Sequence, residues 1–492
     1  ILEKDTLPPS PVIGRKAGDE GGGIAPAFVN LVMTQLSSRY DRQRIERGGL
    51  VIVTTLDYEL QRNAVCLTQI YAARLAGAAS NESACAAARY LSALPETNLA
   101  EPSASVLVLD PRDGQILALV GETGAGGQSA FLTAHRPGSL LAPFIYLTGF
   151  ARGLGPASLV WDIPGGDIQN PDNEFHGPVR LRAALANDYL IPALDVLEQM
   201  GAQNAQQTAH SFGLDLAAGP GFVSDSPPQP LLDVAAAYGI FAAQGVRNGQ
   251  FFGETIQPSA VLRVESLDGA LWLDWSQPES QAVVEPQLAY LMNHILSDGP
   301  ARWPSWGNPN VLEIGRPAAV KPGWTGGPEA WTVGYSPARV VAAWTGSTFT
   351  PGPSPVGGGE TPLSPRLPAA LWSALMQTAS ASLPPDGWTP PAGVTEMDVC
   401  DPSGLLPTAD CPDIVREVFL NGSEPTQSDN LFRTYPVNRE TGLLATVFTP
   451  PDLVEERVFM VVPAEARDWA AAAGIPVPPE AYDAIQLGAP NP

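Results

Sequence analysis

The sequence predicts an α+β protein: an antiparallel sheet with a helical subdomain, then a small β-rich C-terminal module. Three observations predict it. One β-hairpin is legible from Ala104 and a second from Trp331, with alanine-rich helices between them. Hairpins at both ends of one helical stretch imply a sheet whose terminal segments pair. Beyond the proline-rich stretch PPDGWTPPAG the texture shifts to short extended runs around a loop bracketed by cysteines.

Taken in order, residues 1–48 read as a lead-in and linker helix. The GDEGGG run is flexible in composition, and FVNLVMTQLSSRYD carries the helical spacing Phe28, Leu31, Val32, Leu36. GGLVIVTTLD is a strand after a Gly-Gly turn, and Asp57 is placed to cap the helix YELQRNAVCLTQIYAARL. A second helix is expected around Ala84–Leu94. ASVLVLDPRDGQILALVG is the first hairpin, turning on Asp110-Pro111-Arg112-Asp113-Gly114. In HRPGSLLAPFIYL, Ser139 follows a Pro-Gly turn and opens an apolar run, as an exposed nucleophile does. LLDVAAAYGIFAAQG and PQLAYLMNHILSD read as buried helices, and WTVGYSPARVVAAWTG as the second hairpin. The main domain is set at residues 49–392 and the accessory module at 393–492. No internal repeat stands out.

Composition narrows the function. A chain of 492 residues exceeds one ordinary core, so two or three domains are expected. A net charge of −24, with Lys4, Lys16 and Lys321 as the only lysines, argues against nucleic acid and against an anionic membrane surface. No apolar run is long enough to span a bilayer, and Ile1 does not begin a signal peptide. The chain therefore reads as a mature or excised ectodomain, or as a cytosolic protein. Cys400 and Cys411 bracket CDPSGLLPTADC, and closing that loop would contribute ~3 kcal/mol in the chain-entropy model. Cys66 and Cys85 can pair across a helical hairpin. Disulfides are favoured over free buried thiols. The cysteines lack CxxC spacing and His135, His176, His210 and His294 lack ligand spacing, so neither a metal nor a cofactor is expected. The sequons at Asn81 and Asn421 read as chance.

Read in succession, these segments resemble class A penicillin-binding proteins. APAFVNLVMTQLSSRYDRQRIERGGLVIVTTLDYELQRNA is similar to the stretch joining the two catalytic halves of that family, and SVLVLDPRDGQILALVG to the hairpin opening its transpeptidase half. HRPGSLLAPFIYLTGFARGLGPASLVWDIP resembles the nucleophile helix. NPDNEFHGPVRLRAALANDYLIPAL, LLDVAAAYGIFAAQGVRNG, AYLMNHILSDGPARWPSWG and VKPGWTGGPEAWTVGYSP follow in family order. The match covers most of residues 24–390. CDPSGLLPTADC and GSEPT resemble tails found after such domains. The family's glycosyltransferase half would precede Ile1.

The resemblance implies a transpeptidase fold of the penicillin-binding protein/serine β-lactamase kind. It also implies a periplasmic or cell-surface location with an upstream membrane anchor. Its partners would be peptidoglycan or cell-envelope proteins. The family acylates a serine, with stem peptide or with penicillin, through three motifs. In Ser-x-x-Lys the lysine draws the serine proton; here Ser139 is followed by Ala142, and no serine lies three residues before any lysine. Ser-x-Asn becomes Asp188-Tyr189-Leu190, and Leu190 cannot hydrogen-bond a peptide. Lys-Thr-Gly-Thr becomes Lys321-Pro322-Gly323-Trp324: the lysine and glycine survive, the hydroxyls do not. Thr325 would restore one only through a one-residue slip, which turns every side chain to the other face.

Three departures favour a pseudo-transpeptidase, a scaffold or binding module of the cell envelope, over a penicillin-binding serine acyltransferase with an unorthodox base. In the enzyme reading Asp188, His135 or Arg136 would serve Ser139 or tune its base. The competing readings are a loop histidine at His135, an N-cap or a partner for Arg182 or Lys321 at Asp188, and a helix N-cap at Ser139. Trp303, Trp306, Trp324 and Trp331 are candidates to line a groove, with Trp331 better explained as core. A carboxylate or imidazole within ~3 Å of the Ser139 hydroxyl, in a groove not filled by Trp324, would favour the enzyme.

Overall fold

The two hairpins legible in the sequence pair with one another. In the computed structural model of the chain, which describes residues 23–94, 99–124, 127–165, 168–349 and 362–483, Ala100–Asp110 and Gln115–Gly124 form the first hairpin. Glu329–Ser336 and Arg339–Phe349 form the second. Arg339–Phe349 runs antiparallel to Ala100–Asp110, with Val340 opposite Leu109 and Trp344 opposite Ser105. Ala319–Trp324 closes one edge of this sheet.

Successive side chains leave a strand on opposite faces. Val106 and Val108 therefore join Val341 and Ala343 under the helices Tyr58–Leu75 and Arg366–Ser380. Leu107 and Leu109 join Val340 and Ala342 under Ala142–Phe150, Leu231–Ala242 and Pro286–Leu296. The second layer carries the candidate site.

Asp57 caps its helix as expected, accepting the Leu60 N–H at 2.9 Å. The helix expected around Ala84–Leu94 is only a 3₁₀ turn, Ala86–Tyr90. Cys85, disulfide-bonded to Cys66, sits at its N-cap in the extended region, and Leu91 ends it in the extended region at φ −76° and ψ 104°. Of the lead-in, the helix Pro26–Ser37 buries Phe28, Val32 and Leu36, whereas residues 1–22, with Lys4 and Lys16, lie outside the described residues.

The C-terminal region corrects the reading that no repeat is present. It holds two hairpins, Val394–Asp401 with Asp413–Leu420 and Phe432–Asn438 with Val454–Met460. Their connecting loops share one bonding pattern. The Cys400 N–H donates to Leu405 at 2.8 Å, and the Asn438 N–H to Leu443 at 2.9 Å. Leu406 reaches Gln427 at 3.0 Å, and Leu444 reaches Ala481 at 3.0 Å. In the first unit Cys400 and Cys411 are joined by a disulfide. Asn438 and Thr449 hold those places in the second, bridged by the Asp483 carboxylate at 2.8 and 2.9 Å. The first unit docks on the main domain, where Val399 and Phe419 pack on Ala157.

Candidate functional site

Ser139 lies in a 3₁₀ turn, Gly138–Leu141, that feeds the helix Ala142–Phe150, with Pro143 in the first turn where its missing N–H leaves no bond unmade. A side chain at Gly138 would put its Cβ 2.2 Å from the Trp324 carbonyl oxygen, and one at Gly323 would meet Leu140 at 2.6 Å. Glycine at both places lets the turn lie flush against the strand Ala319–Trp324.

The three motif positions meet there. The Ser139 hydroxyl donates to Asp188 Oδ2 at 2.6 Å and accepts the Trp324 N–H at 2.9 Å. Lys321 Nζ donates to the other oxygen of Asp188 at 2.6 Å and to the Pro322 carbonyl at 2.8 Å. Ser139 is 0% and Lys321 1% exposed. Burial pulls the Lys321 pKa below that of a free lysine, against the opposing charge of Asp188. Ser139 is not a helix N-cap: that place belongs to Leu141, and the serine oxygen is engaged across the fold.

Asp188 reaches the serine because it ends the helix Leu181–Asn187 in the left-handed region, at φ +63°, which Asp tolerates better than most residues. Its neighbours are turned inward. Tyr189 stacks on His176 with centroids 3.8 Å apart, and Leu190 starts the helix Leu190–Met200 in the core. The Leu190 N–H goes to Asn170 Oδ1 at 2.7 Å, and Asn170 in turn donates to Asp162 at 2.8 Å. His176 Nδ1 lies 2.7 Å from the same fully buried Asp162.

In the third motif, Pro322 is accommodated because its strand lies at the sheet edge. The register is continuous, with Lys321 opposite Val333 and Gly323 opposite Trp331, so Thr325 has not slipped into the motif. Its hydroxyl instead donates to Glu329 O at 2.6 Å and accepts the Gly327 N–H at 3.2 Å, closing a turn.

Other sequence candidates are occupied elsewhere. His135 lies 3.3 Å from Glu122 and 3.1 Å from Glu329, stacked on Trp344. Burial depresses its pKa, but the two carboxylates outweigh burial and the net shift is upward. Arg136 donates to the Ser224 carbonyl at 3.0 Å. Arg182 pairs with Glu417 and Asp298, not with Asp188. Trp331 is core, and the partly exposed Trp303 donates to Glu313 at 2.6 Å. Sequence reading missed Asp162, Asn170, Arg180 and Glu417, none of which carries a motif. Among the described residues no three His, Cys, Asp or Glu side chains group as a metal site, and no helix is long and apolar enough to cross a membrane.

The arrangement places a carboxylate at hydrogen-bond distance from a serine hydroxyl but leaves that hydroxyl no exposed surface. One condition for an acyltransferase is met, and the open groove is not.

Comparison with known proteins bears on the fold that carries these residues. Residues 104–240 match the penicillin binding protein transpeptidase domain, and residues 390–434 the C-terminal domain of penicillin-binding protein 1A. Penicillin-binding protein 1A of Clostridium botulinum (strain Langeland) is 25% identical over 471 residues, covering 86% of this chain and 52% of the relative. Penicillin-binding protein 1C of Escherichia coli K12 is 28% identical over 416 residues, covering 80% and 47%. The chain thus spans about half the length of the curated relatives it matches. Among solved structures, penicillin-binding protein 1A of Haemophilus influenzae superposes with a TM-score of 0.61 at 16% identity, covering 81% of this chain and 77% of that one. PonA1 of Mycobacterium tuberculosis gives 0.57 at 21%, covering 74% and 94%. At these identities the structures establish the fold.

Proposed function

Because the chain is class A penicillin-binding-protein-like and has the transpeptidase fold, we propose that its transpeptidase-like domain is a closed, non-catalytic one. It would act as a scaffold or binding module in the cell envelope. One observation carries this reading: Ser139 is 0% exposed and its oxygen is engaged twice, by Asp188 and by the Trp324 N–H. A nucleophile needs a free approach and a base with capacity to take its proton. Asp188 is engaged on both oxygens, by Lys321 on one and by Ser139 on the other. Two disulfides support an oxidising, extracytoplasmic setting, and a membrane anchor and glycosyltransferase half upstream belong to the same proposal.

A second reading rests on the 2.6 Å bond between Ser139 and Asp188. With the Trp324 side chain turned aside and its backbone kept in place, Asp188 would act as base, and the Trp324 N–H would be a donor for a developing oxyanion. Incubation with a labelled penicillin, followed by intact-mass measurement, separates the two. The closed domain gives no adduct. A stoichiometric adduct that disappears in Ser139→Ala overturns it.

A further inference from the structure

The helix Leu181–Asn187 is gripped at its start by the C-terminal module and at its end by the candidate site. Arg180, immediately before it, donates to Asp401 at 2.6 Å and to Glu417 at 2.5 Å. Arg182, in its first turn, holds both Glu417 oxygens and reaches Asp298 at 3.0 Å. The Glu417 side chain is 0% and that of Arg182 4% exposed. Burial pushes the Glu417 carboxyl upward in pKa, but the hydrogen bonds and charge of Arg182 and the charge of Arg180 outweigh burial and hold it below the usual range. At the other end Asp188 carries Ser139 and Lys321. A helix of this length is about 10 Å long, a rod too short to bend between its two fixed ends.

A second set of contacts converges on the same place. Trp469 of the module donates to the Phe175 carbonyl at 3.3 Å and meets Trp161 edge-on at 6.3 Å. Phe175 adjoins His176, whose ring stacks on Tyr189, the residue after Asp188. The module therefore touches both segments that set the position of Asp188.

We infer that the C-terminal module is an intramolecular lock: docked, Glu417 fixes the helix and the helix keeps Asp188 against Ser139. Undocked, the helix end is the first part of the main domain to loosen. A buried ionic network of this kind gains little over an apolar contact in net stability, and its value lies in fixing one orientation. Coupling of this sort needs a contiguous rigid element biased from both ends, and Leu181–Asn187 is one. The lock does not depend on whether Ser139 reacts; the penicillin experiment speaks to the closed domain, and the following one to the lock.

Hydrogen exchange on the full chain tests it. In Glu417→Gln, amides 184–190 and those of Lys321, Gly323 and Trp324 exchange about tenfold faster, while Ala100–Asp110 and Gln115–Gly124 keep their protection. Trp469→Ala, which leaves no buried charge unpaired, gives a smaller rise over the same amides. Faster exchange in Val394–Asp401 and Asp413–Leu420 with 184–190 unchanged overturns the lock. Acceleration spread equally over the central strands overturns it too, because the clamp would then support the whole fold and not this helix.

Discussion

At the start of the helix Leu181–Asn187 two guanidinium groups close on one carboxylate; at its end one ammonium group, one carboxylate and one hydroxyl meet. Both clusters are buried, yet their chemistry differs. Arginine presents a planar fork, which fixes the orientation of its partner, while lysine is a point charge on a flexible stem. The forked cluster joins residues far apart in sequence and belongs to no motif. The lysine cluster is assembled wholly from positions that the sequence resemblance assigns to the family's reactive groups. On the closed-domain proposal, position and chemistry have separated: the motif sites hold segments together, much as the arginine clamp does.

Breaking the arginine end should cost most. Glu417→Ala removes the carboxylate that two buried cations share and leaves Arg180 only Asp401 and Arg182 only Asp298, so a loss of about 3 to 5 kcal/mol is expected in denaturant unfolding. The same cluster has a definite pH sign. The folded-state pKa of Glu417 is depressed, so its contribution is present above the unfolded value of about 4.3. It is lost as pH falls through the lower folded value. Acidification below about pH 4 should release the module, read as exchange in Val394–Asp401. Release on raising the pH instead would contradict the assignment.

The lysine end should cost somewhat less. Lys321→Met strands Asp188 beside Ser139, at about 3 kcal/mol, toward the low end because the Asp188 side chain keeps 14% exposure. A cost equal to that of Glu417→Ala would erase the distinction between the ends.

The duplicated hairpins sharpen the comparison within the module. Reducing Cys400–Cys411 should lower its stability by up to about 3 kcal/mol. Asp483→Ala, which removes the hydrogen-bonded counterpart between Asn438 and Thr449, should cost about 1 to 2 kcal/mol. Thermal unfolding of the two variants, compared at one pH, reads the order.

What was legible in the sequence follows from how far apart the interacting residues lie. Hairpins, the Asp57 cap and the motif positions Ser139, Asp188 and Lys321 are local patterns or fixed spacings. The Arg182–Glu417 clamp spans 235 residues and has no spacing rule. The repeat was hidden because few identities survive, chiefly Gly404-Leu405-Leu406 against Gly442-Leu443-Leu444, and those short runs were the signal available. The Asp188–Lys321 partnership was among the open readings, but the burial of Ser139 was not, because it depends on how the turn seats against Trp324.

An effect as small as that of Asp483→Ala bears most directly on the closed site. If the Ser139 hydroxyl now serves only to join Asp188 to the Trp324 N–H, Ser139→Ala removes two hydrogen bonds inside a buried network. It should then lower stability by about 1 to 2 kcal/mol in equilibrium unfolding. A poised nucleophile behaves in the opposite way, since active-site residues are commonly held at a cost to the fold. A Ser139→Ala protein that is as stable as the parent, or more so, would contradict the closed-site account.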